Sequence, residues 1–326
     1  MSKIKWGILG TGNIAHAFAS DFKAVESGEL AAVASRNRVR AKDFAAEYGI
    51  EKTYEGYKNL AQDDEIDIIY IATPHDSHYR NIMLCLKNNT SVFCEKPLTV
   101  NQHQANQAVE LAAEKDLVLL EAMWTYYLPA IKKVKEWIAE EQIGEIKMIE
   151  ADFGFRNEIN PESRLFNPEL AGGALLDVGI YPIALANLVE DSAVENVLAE
   201  GRLGATGVDE DNAALLKFES GTLAQLTSSL RTDLEDEAVI YGTKGQITIP
   251  NFWRAEKAVL ETDEREEVFE DKRETTGYNY EAEIVSELLL EGQEERAEKM
   301  LELSLENLKI MDEIRQQLGL KYPFEK

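Results

Sequence analysis

The sequence is short of basic residues, cysteine and histidine. Thirty-four Lys and Arg stand against 60 Asp and Glu, a formal charge of −26, with 2 Cys and 4 His among 326 residues. The shortage of cations excludes nucleic acid as the main partner, because phosphate binding draws on a basic face that releases counterions. Cys85 and Cys94 form neither a Cys-x-x-Cys pair nor part of a His/Cys cluster, which argues against a disulfide framework or structural zinc and for a reducing cytoplasm. No uninterrupted apolar run approaches the ~18–20 residues that cross a bilayer. Met1 to Trp6 is polar and charged up to the first apolar strand, unlike a signal peptide. No membrane partner is expected. What remains is ordinary for a folded protein, with 44% hydrophobic and 29% charged residues. At ~100–200 residues per domain the length suggests two, each able to bury its own core.

The first third alternates short aliphatic runs with longer amphipathic ones, the pattern of βαβ units around a parallel sheet. Strands are expected at Ile4 to Leu9, Leu30 to Ala34, Ile66 to Ala72, Ser91 to Cys94 and Leu117 to Leu120, with helices near Ile14 to Ala24, Arg38 to Tyr48, Tyr79 to Asn88 and Gln102 to Lys115. This reads as α/β: a doubly wound, Rossmann-type domain over 1–121. Over 122–326 a helix (Tyr127 to Glu140) and a strand (Ile146 to Phe155) precede strands at hairpin spacing: Val194 to Gly204, Ala213 to Glu219, Thr222 to Leu230, Glu237 to Gly242 and Gln246 to Ile249. Gly-bearing turns separate them, giving a second, α+β domain with an open, largely antiparallel sheet. Closing helices are expected near Glu281 to Leu290 and Ala297 to Leu318; the stripe of Met300, Leu301, Leu305, Leu308, Met311 and Ile314 reads as core. The acidic Glu261 to Glu274 stretch reads as a solvated strand pair or loop.

Gly10-Thr11-Gly12-Asn13-Ile14-Ala15 is a G-x-G-x-x-A match between a strand ending at Leu9 and a helix opening inside the motif, the context a dinucleotide site requires. Gly10 permits the tight turn, Gly12 lets backbone approach a pyrophosphate, Ala15 allows close helix packing, and the first helical N–H groups, from Asn13 and Ile14, face the anion. After the second strand, where NAD enzymes carry an acid for the ribose 2′-hydroxyl, the chain reads Ser35-Arg36-Asn37 with Arg38 and Arg40 following. A hydroxyl and guanidinium groups suit a 2′-phosphate, so NADP is favoured, with NAD possible; the alternative is a solvated helix start. Thr73 and Pro74 end the third apolar strand as a cofactor-lining loop, with His78 touching the cofactor or capping that loop. His75 and His78 lack a further ligand nearby, so no metal is expected.

Glu95-Lys96-Pro97 follows the Ser91 to Cys94 strand at the carboxyl edge, where a lysine beside a nicotinamide can hydrogen-bond a substrate hydroxyl. In Gly172 to Pro182, Asp177 and Tyr181 stand at i and i+4, on one face of a helix, and a phenol beside a lysine can relay a proton. The alternative reading is Asp177 as a cap and Tyr181 as packing. Pro182 implies a kink or restart near Ile180.

These motifs, with Glu121-Ala122-Met123-Trp124, occur in the order of the Gfo/Idh/MocA oxidoreductases, and the chain resembles that family over most of its length. Its motifs are most similar to the branch of dimeric dihydrodiol dehydrogenases and NADP-dependent D-xylose dehydrogenases. The resemblance implies Lys96 and Tyr181 as the proton-transfer residues, Asp177 as a positioning residue, and a homodimer through the open sheet. Many relatives carry His at the place of Tyr181, and often Arg where this chain has Tyr126. Trp124, Phe155, Arg156, Trp253 and Tyr278 are candidate pocket liners or core. The function expected is an NADP-dependent dehydrogenase or reductase of a small sugar, polyol or cyclic diol, with Lys96 and Tyr181 meeting across a cleft; a non-catalytic NADP sensor and an NAD-assisted glycosidase are the alternatives.

Overall fold

The computed structural model describes residues 3–325. In its first part, β1 (Ile4–Leu9), α1 (Asn13–Asp21), β2 (Gly28–Ser35), α2 (Arg38–Tyr48), β3 (Lys52–Glu55), α3 (Tyr57–Ala61), β4 (Ile68–Ile71), α4 (His78–Lys87), β5 (Ser91–Glu95), α5 (Gln102–Glu114) and β6 (Leu119–Ala122) follow one another. The strands form one parallel sheet in the order β3-β2-β1-β4-β5-β6. This is the doubly wound order, and the chain reverses direction across the sheet between β1 and β4, where such sheets bind ligands. The sequence pattern missed β3 and α3. None of the four β3 residues is buried, so an edge strand carries no apolar alternation to find. Aromatic rings fill the sheet's core: Trp6 meets Phe22 and Phe93 edge-on at 5.8 Å, and Phe18 stacks on Tyr70 at 3.9 Å.

The chain continues through α6 (Pro129–Ala139), β7 (Ile146–Gly154), α7 (Ile180–Val189), β8 (Val194–Leu203), β9 (Asp209–Phe218), β10 (Leu223–Ser229), β11 (Ala238–Gly242), β12 (Gly245–Ile249), β13 (Lys257–Thr262) and β14 (Glu266–Glu270). These strands make an eight-stranded sheet in the order β14-β13-β12-β11-β7-β10-β9-β8, antiparallel except for β7 beside β10. One face is dry and one wet: along β9, Asn212, Ala214, Leu216 and Phe218 are buried while Ala213, Leu215 and Lys217 are exposed. The acidic stretch supplies β14, an edge strand whose exposed Glu266 and Glu270 discourage further pairing.

All ten α7 residues are buried, consistent with its apolar composition on every face. The 168–189 segment, with a mean hydropathy of 1.5 in its 18-residue window, passes the length and composition test for a membrane span, but that window is wholly buried inside the protein. The restart expected from Pro182 occurs where the sequence placed it. A π-helical turn, Leu175–Gly179, ends as α7 begins at Ile180, so the proline, which has no N–H to donate, sits in the first α-helical turn.

Two compact units result: 1–124 with 273–305, and 125–272 with 306–326. The sequence reading drew one boundary, at 121/122; in the structure the segment carrying α8 (Tyr278–Glu291) and the start of α9 (Glu294–Leu318) returns to the first unit. Three contacts hold α8 there. Asp21, at the end of α1, accepts from the backbone N–H groups of Thr276, Gly277 and Tyr278 at 3.2, 2.9 and 3.0 Å, capping the helix. Trp6 Nε1 donates to Ser286 Oγ at 2.9 Å, and Glu283 accepts from the Glu26 and Ser27 backbone. In the α9 stripe, Leu308, Met311 and Ile314 are buried while Met300, Leu301 and Leu305 are half-buried, so the core reading holds for the second half of the stripe.

Candidate active site

In the first unit the glycine loop sits at the carboxyl end of β1. Gly10 has φ +113°, and a Cβ there would lie 2.6 Å from Ala72 O, so only glycine fits between β1 and the end of β4. Gly12 differs: its φ of −89° suits any residue, and a Cβ would meet nothing within 4 Å. It is the N-cap of α1, no side chain caps the helix, and Ala15 is fully buried against the sheet. Uncapped helical N–H groups facing open space beside a glycine suit an anionic pyrophosphate. Gly12→Ala is therefore expected to leave Tm unchanged while weakening dinucleotide binding about tenfold, and Gly10→Ala to lower both; thermal melts and fluorescence titration with NADPH check this.

The structure brings Thr11 and Ser35 together. Thr11 Oγ1 donates to Ser35 Oγ at 3.2 Å, joining the glycine loop to the end of β2, and the same Ser35 oxygen accepts from Asn37 N at 3.3 Å. Asn37 then caps α2, accepting from Val39 N and Arg40 N at 2.8 and 3.2 Å. Arg36 and Arg40 are exposed around that cap.

Between the β4 and β5 loops lies His78, fully buried, with Nε2 2.7 Å from Thr73 O and Nδ1 2.8 Å from Pro97 O. It staples the Thr73-Pro74 loop to the Glu95-Lys96-Pro97 turn. Burial pushes its pKa below the ordinary value although both carbonyls favour the protonated ring. Glu95 is buried and accepts from Tyr70 Oη at 2.5 Å; Lys96, at the carboxyl end of β5, is half-buried. Glu121, in the motif but given no role by sequence reasoning, lies on β6 opposite Cys94 and accepts from Leu98 N at 2.7 Å.

In the second unit, Asp177 and Tyr181 are both buried. An i, i+4 pair shares a face at 3.6 residues per turn, which the π-helical turn holding Asp177 does not have. Sequence reasoning also missed the partner of Asp177: Arg164 Nη1 reaches its Oδ1 at 2.6 Å from an irregular stretch 13 residues earlier, where no periodicity marks it. Asp209, fully buried, accepts from Leu175 N at 2.7 Å and Asn212 Nδ2 at 2.8 Å, fixing the start of the turn. Burial pushes its carboxyl up to about 6 against those donors. Gly173 is required beside it, since a Cβ would strike Asp209 Oδ1 and φ is +125°. Tyr181 stands edge-on to Phe153 at 5.4 Å and to Trp253 at 6.1 Å, and those two rings stack at 4.7 Å. Of the other candidate liners, Trp124 stacks on Tyr278 at 4.4 Å in the first unit, Phe155 is half-buried beside Phe153, and Arg156 pairs with Asp233 in solvent.

Residues 4–123 match the profile of an oxidoreductase family with an NAD-binding Rossmann fold, Gfo/Idh/MocA, and residues 131–248 match the C-terminal domain of the same family. The chain belongs to the Gfo/Idh/MocA oxidoreductase family. It is an oxidoreductase with an NAD(P)-binding Rossmann unit. Among curated relatives, a trans-1,2-dihydrobenzene-1,2-diol dehydrogenase of Xenopus tropicalis is 36% identical over 332 residues, 98% of this chain and 99% of that protein. Among solved structures, a 3-ketoreductase from Actinomadura kijaniata in complex with NADP and TDP-benzene is 26% identical with a TM-score of 0.87, covering 97% of this chain and 98% of that one. Further structures of that ketoreductase carry a lysine replaced by alanine and a tyrosine replaced by phenylalanine. An aldose-aldose oxidoreductase from Caulobacter crescentus, 20% identical with 98% of each chain covered and a TM-score of 0.88, shares the fold.

Proposed function

We propose that the protein is an NADP-preferring dehydrogenase or reductase that moves hydride between C4 of the nicotinamide and a carbinol carbon of a neutral sugar, polyol or cyclic diol. The observation that carries this reading is Lys96 at the carboxyl end of β5, on a turn held from two sides by His78 and Glu121, in a unit whose glycine loop opens onto free space at Gly12. The bound dinucleotide supplies the hydride acceptor or donor. Gly10, Thr11, Gly12, Asn13 and Ile14 would hold its pyrophosphate, Ser35, Arg36 and Arg40 its ribose phosphate, and Thr73, Pro74, His78, Glu95 and Lys96 the nicotinamide end. Lys96 and Tyr181 would move the hydroxyl proton of the substrate, taking it as hydride leaves carbon and returning it in reduction. Asp177, engaged by Arg164, would position substrate rather than exchange protons. The names of the dihydrodiol dehydrogenases and of the NADP-bound ketoreductase support the substrate and cofactor classes.

A homodimer through the wet face of the eight-stranded sheet belongs to this reading. Leu198, Leu215, Gln225, Glu150 and Val239 line one row across five strands of that face, and Leu198 is 57% exposed. A reducing cytoplasm suits the two unpaired, buried thiols.

The test incubates the protein with NADP⁺ and a panel of aldoses, inositols and trans-dihydrodiols, following the absorbance of reduced cofactor. Turnover supports the reading; tight NADPH binding with no turnover on any of them rejects it and favours a sensor. For cofactor choice, Arg36→Ala is expected to weaken NADPH roughly 10–100-fold, the worth of a charge-assisted hydrogen bond of about 1.5–3 kcal/mol, and NADH less than twofold. Equal losses for the two cofactors reject the 2′-phosphate assignment.

A further inference from the structure

Glu121 is 4% exposed, a burial unusual for a carboxylate. Its Oε1 accepts from Leu98 N at 2.7 Å, two residues beyond Lys96, while its Oε2 is buried with no hydrogen-bond partner among the described residues. It sits on β6 opposite Cys94, with Glu95 ending the neighbouring strand, Lys96 just beyond it, and the buried Ser304 of α9 alongside. A strand-end carboxylate so placed loses water on all sides and recovers the Leu98 N–H bond, the pull of the Ser304 hydroxyl and the field of the Lys96 ammonium. A buried leucine would pack there without that cost.

We propose that Glu121 is a positioning residue for Lys96: through the Leu98 N–H it fixes the turn that carries the lysine, and its negative charge holds the proton on the Lys96 ammonium. This rests on the role given to Lys96 above. Burial is the largest influence on the Glu121 carboxyl and pushes it up to about 7; the Ser304 hydroxyl, the Leu98 N–H and the Lys96 ammonium pull it down, and the Glu95 carboxylate adds to the rise. The sign follows. Above pH 7 Glu121 is charged and keeps Lys96 as an acid able to protonate a carbonyl-derived alkoxide; below pH 7 Glu121 is itself neutral and that hold is released.

Two variants separate the two parts. Glu121→Gln keeps an oxygen for the Leu98 N–H and removes the charge; Glu121→Leu removes both. With the full-length protein, Glu121→Gln is expected to match wild type in NADPH-dependent carbonyl reduction at pH 6 and to fall about tenfold below it at pH 8.5. Glu121→Leu is expected to lose at least tenfold at both pH values. NADPH affinity, titrated by fluorescence, is expected to stay within threefold in both.

A readout independent of turnover follows the modification of Lys96 by a neutral amine reagent, quantified by peptide mass spectrometry. Glu121→Gln is expected to speed it about 3–10-fold at pH 8.5 and not at pH 6. If modification shifts this way while the wild type turns over no substrate, the proposed function fails and the positioning role stands. A Glu121→Gln variant whose Lys96 reactivity equals wild type at both pH values overturns the charge role, and Glu121→Leu behaving as Glu121→Gln overturns the turn role.

Discussion

Lys96→Met and Tyr181→Phe are each expected to cut turnover about 10²–10⁴-fold, the usual worth of a positioned proton-transfer group, with NADPH affinity within a few-fold of wild type. Methionine keeps the length and apolar stem of lysine, so the turn held by His78 and Glu121 keeps its packing. Phenylalanine keeps the ring contacts of Tyr181 with Phe153 and Trp253, at 5.4 and 6.1 Å. Both changes therefore remove the proton-bearing group that the proposal uses and little else. If the residues act as one proton-transfer unit, the double variant loses no more than the worse single variant, because effects within such a unit are not additive. Additive losses would mean two independent roles. Asp177→Asn gives the contrast: it weakens the pair with Arg164 but leaves Lys96 and Tyr181 in place, so its expected effect is on KM, about tenfold, with kcat changed less. A Tyr181→Phe enzyme with wild-type kcat would leave Lys96 to act alone.

What could be read in advance tracks the physical origin of each feature. The parallel sheet and its helices follow from apolar periodicity, and the cofactor loop follows from the steric demand of one position: Gly10 is fixed by a carbonyl 2.6 Å from where its Cβ would be. Such constraints are local and leave a mark on the string. The Pro182 restart was legible for the same reason, since a missing N–H is a property of one residue. By contrast, Arg164 reaches Asp177 from a stretch without regular structure, and the docking of α8 depends on Asp21 and Thr276, 255 residues apart. Neither has a period. The return of 273–305 to the first unit was hidden because α9 is one unbroken helix whose apolar stripe gives no sign of where one core ends and another begins. Glu121 stood in plain view within a motif, but a buried carboxylate is recognisable only once its burial is known.

Burial of a second carboxylate gives the largest effect expected on stability. Glu281, in the first turn of α8, is fully buried and both its oxygens lack a hydrogen-bond partner among the described residues. Its pKa is driven well above the ordinary range, first by desolvation and then by the Glu95 and Asp21 carboxylates. A folded-state pKa above the unfolded one means that the native protein holds a proton the unfolded chain has released, so stability falls as pH rises above about 4.5. Glu281→Met is accordingly expected to stabilise the protein by about 1–3 kcal/mol at pH 8, the cost of burying a polar group without a hydrogen-bond partner, and by less at pH 5. That is a rise of several degrees in Tm at the size of these units. Glu281→Gln separates the contributions: it removes the share of the pH dependence that Glu281 carries but still buries polar atoms without partners, so its gain at pH 8 should be the smaller. Melts of the three proteins at pH 5 and pH 8 decide the matter. A Glu281→Met protein less stable than wild type at pH 8 would mean that the carboxyl stabilises the fold and is not a cost the fold carries.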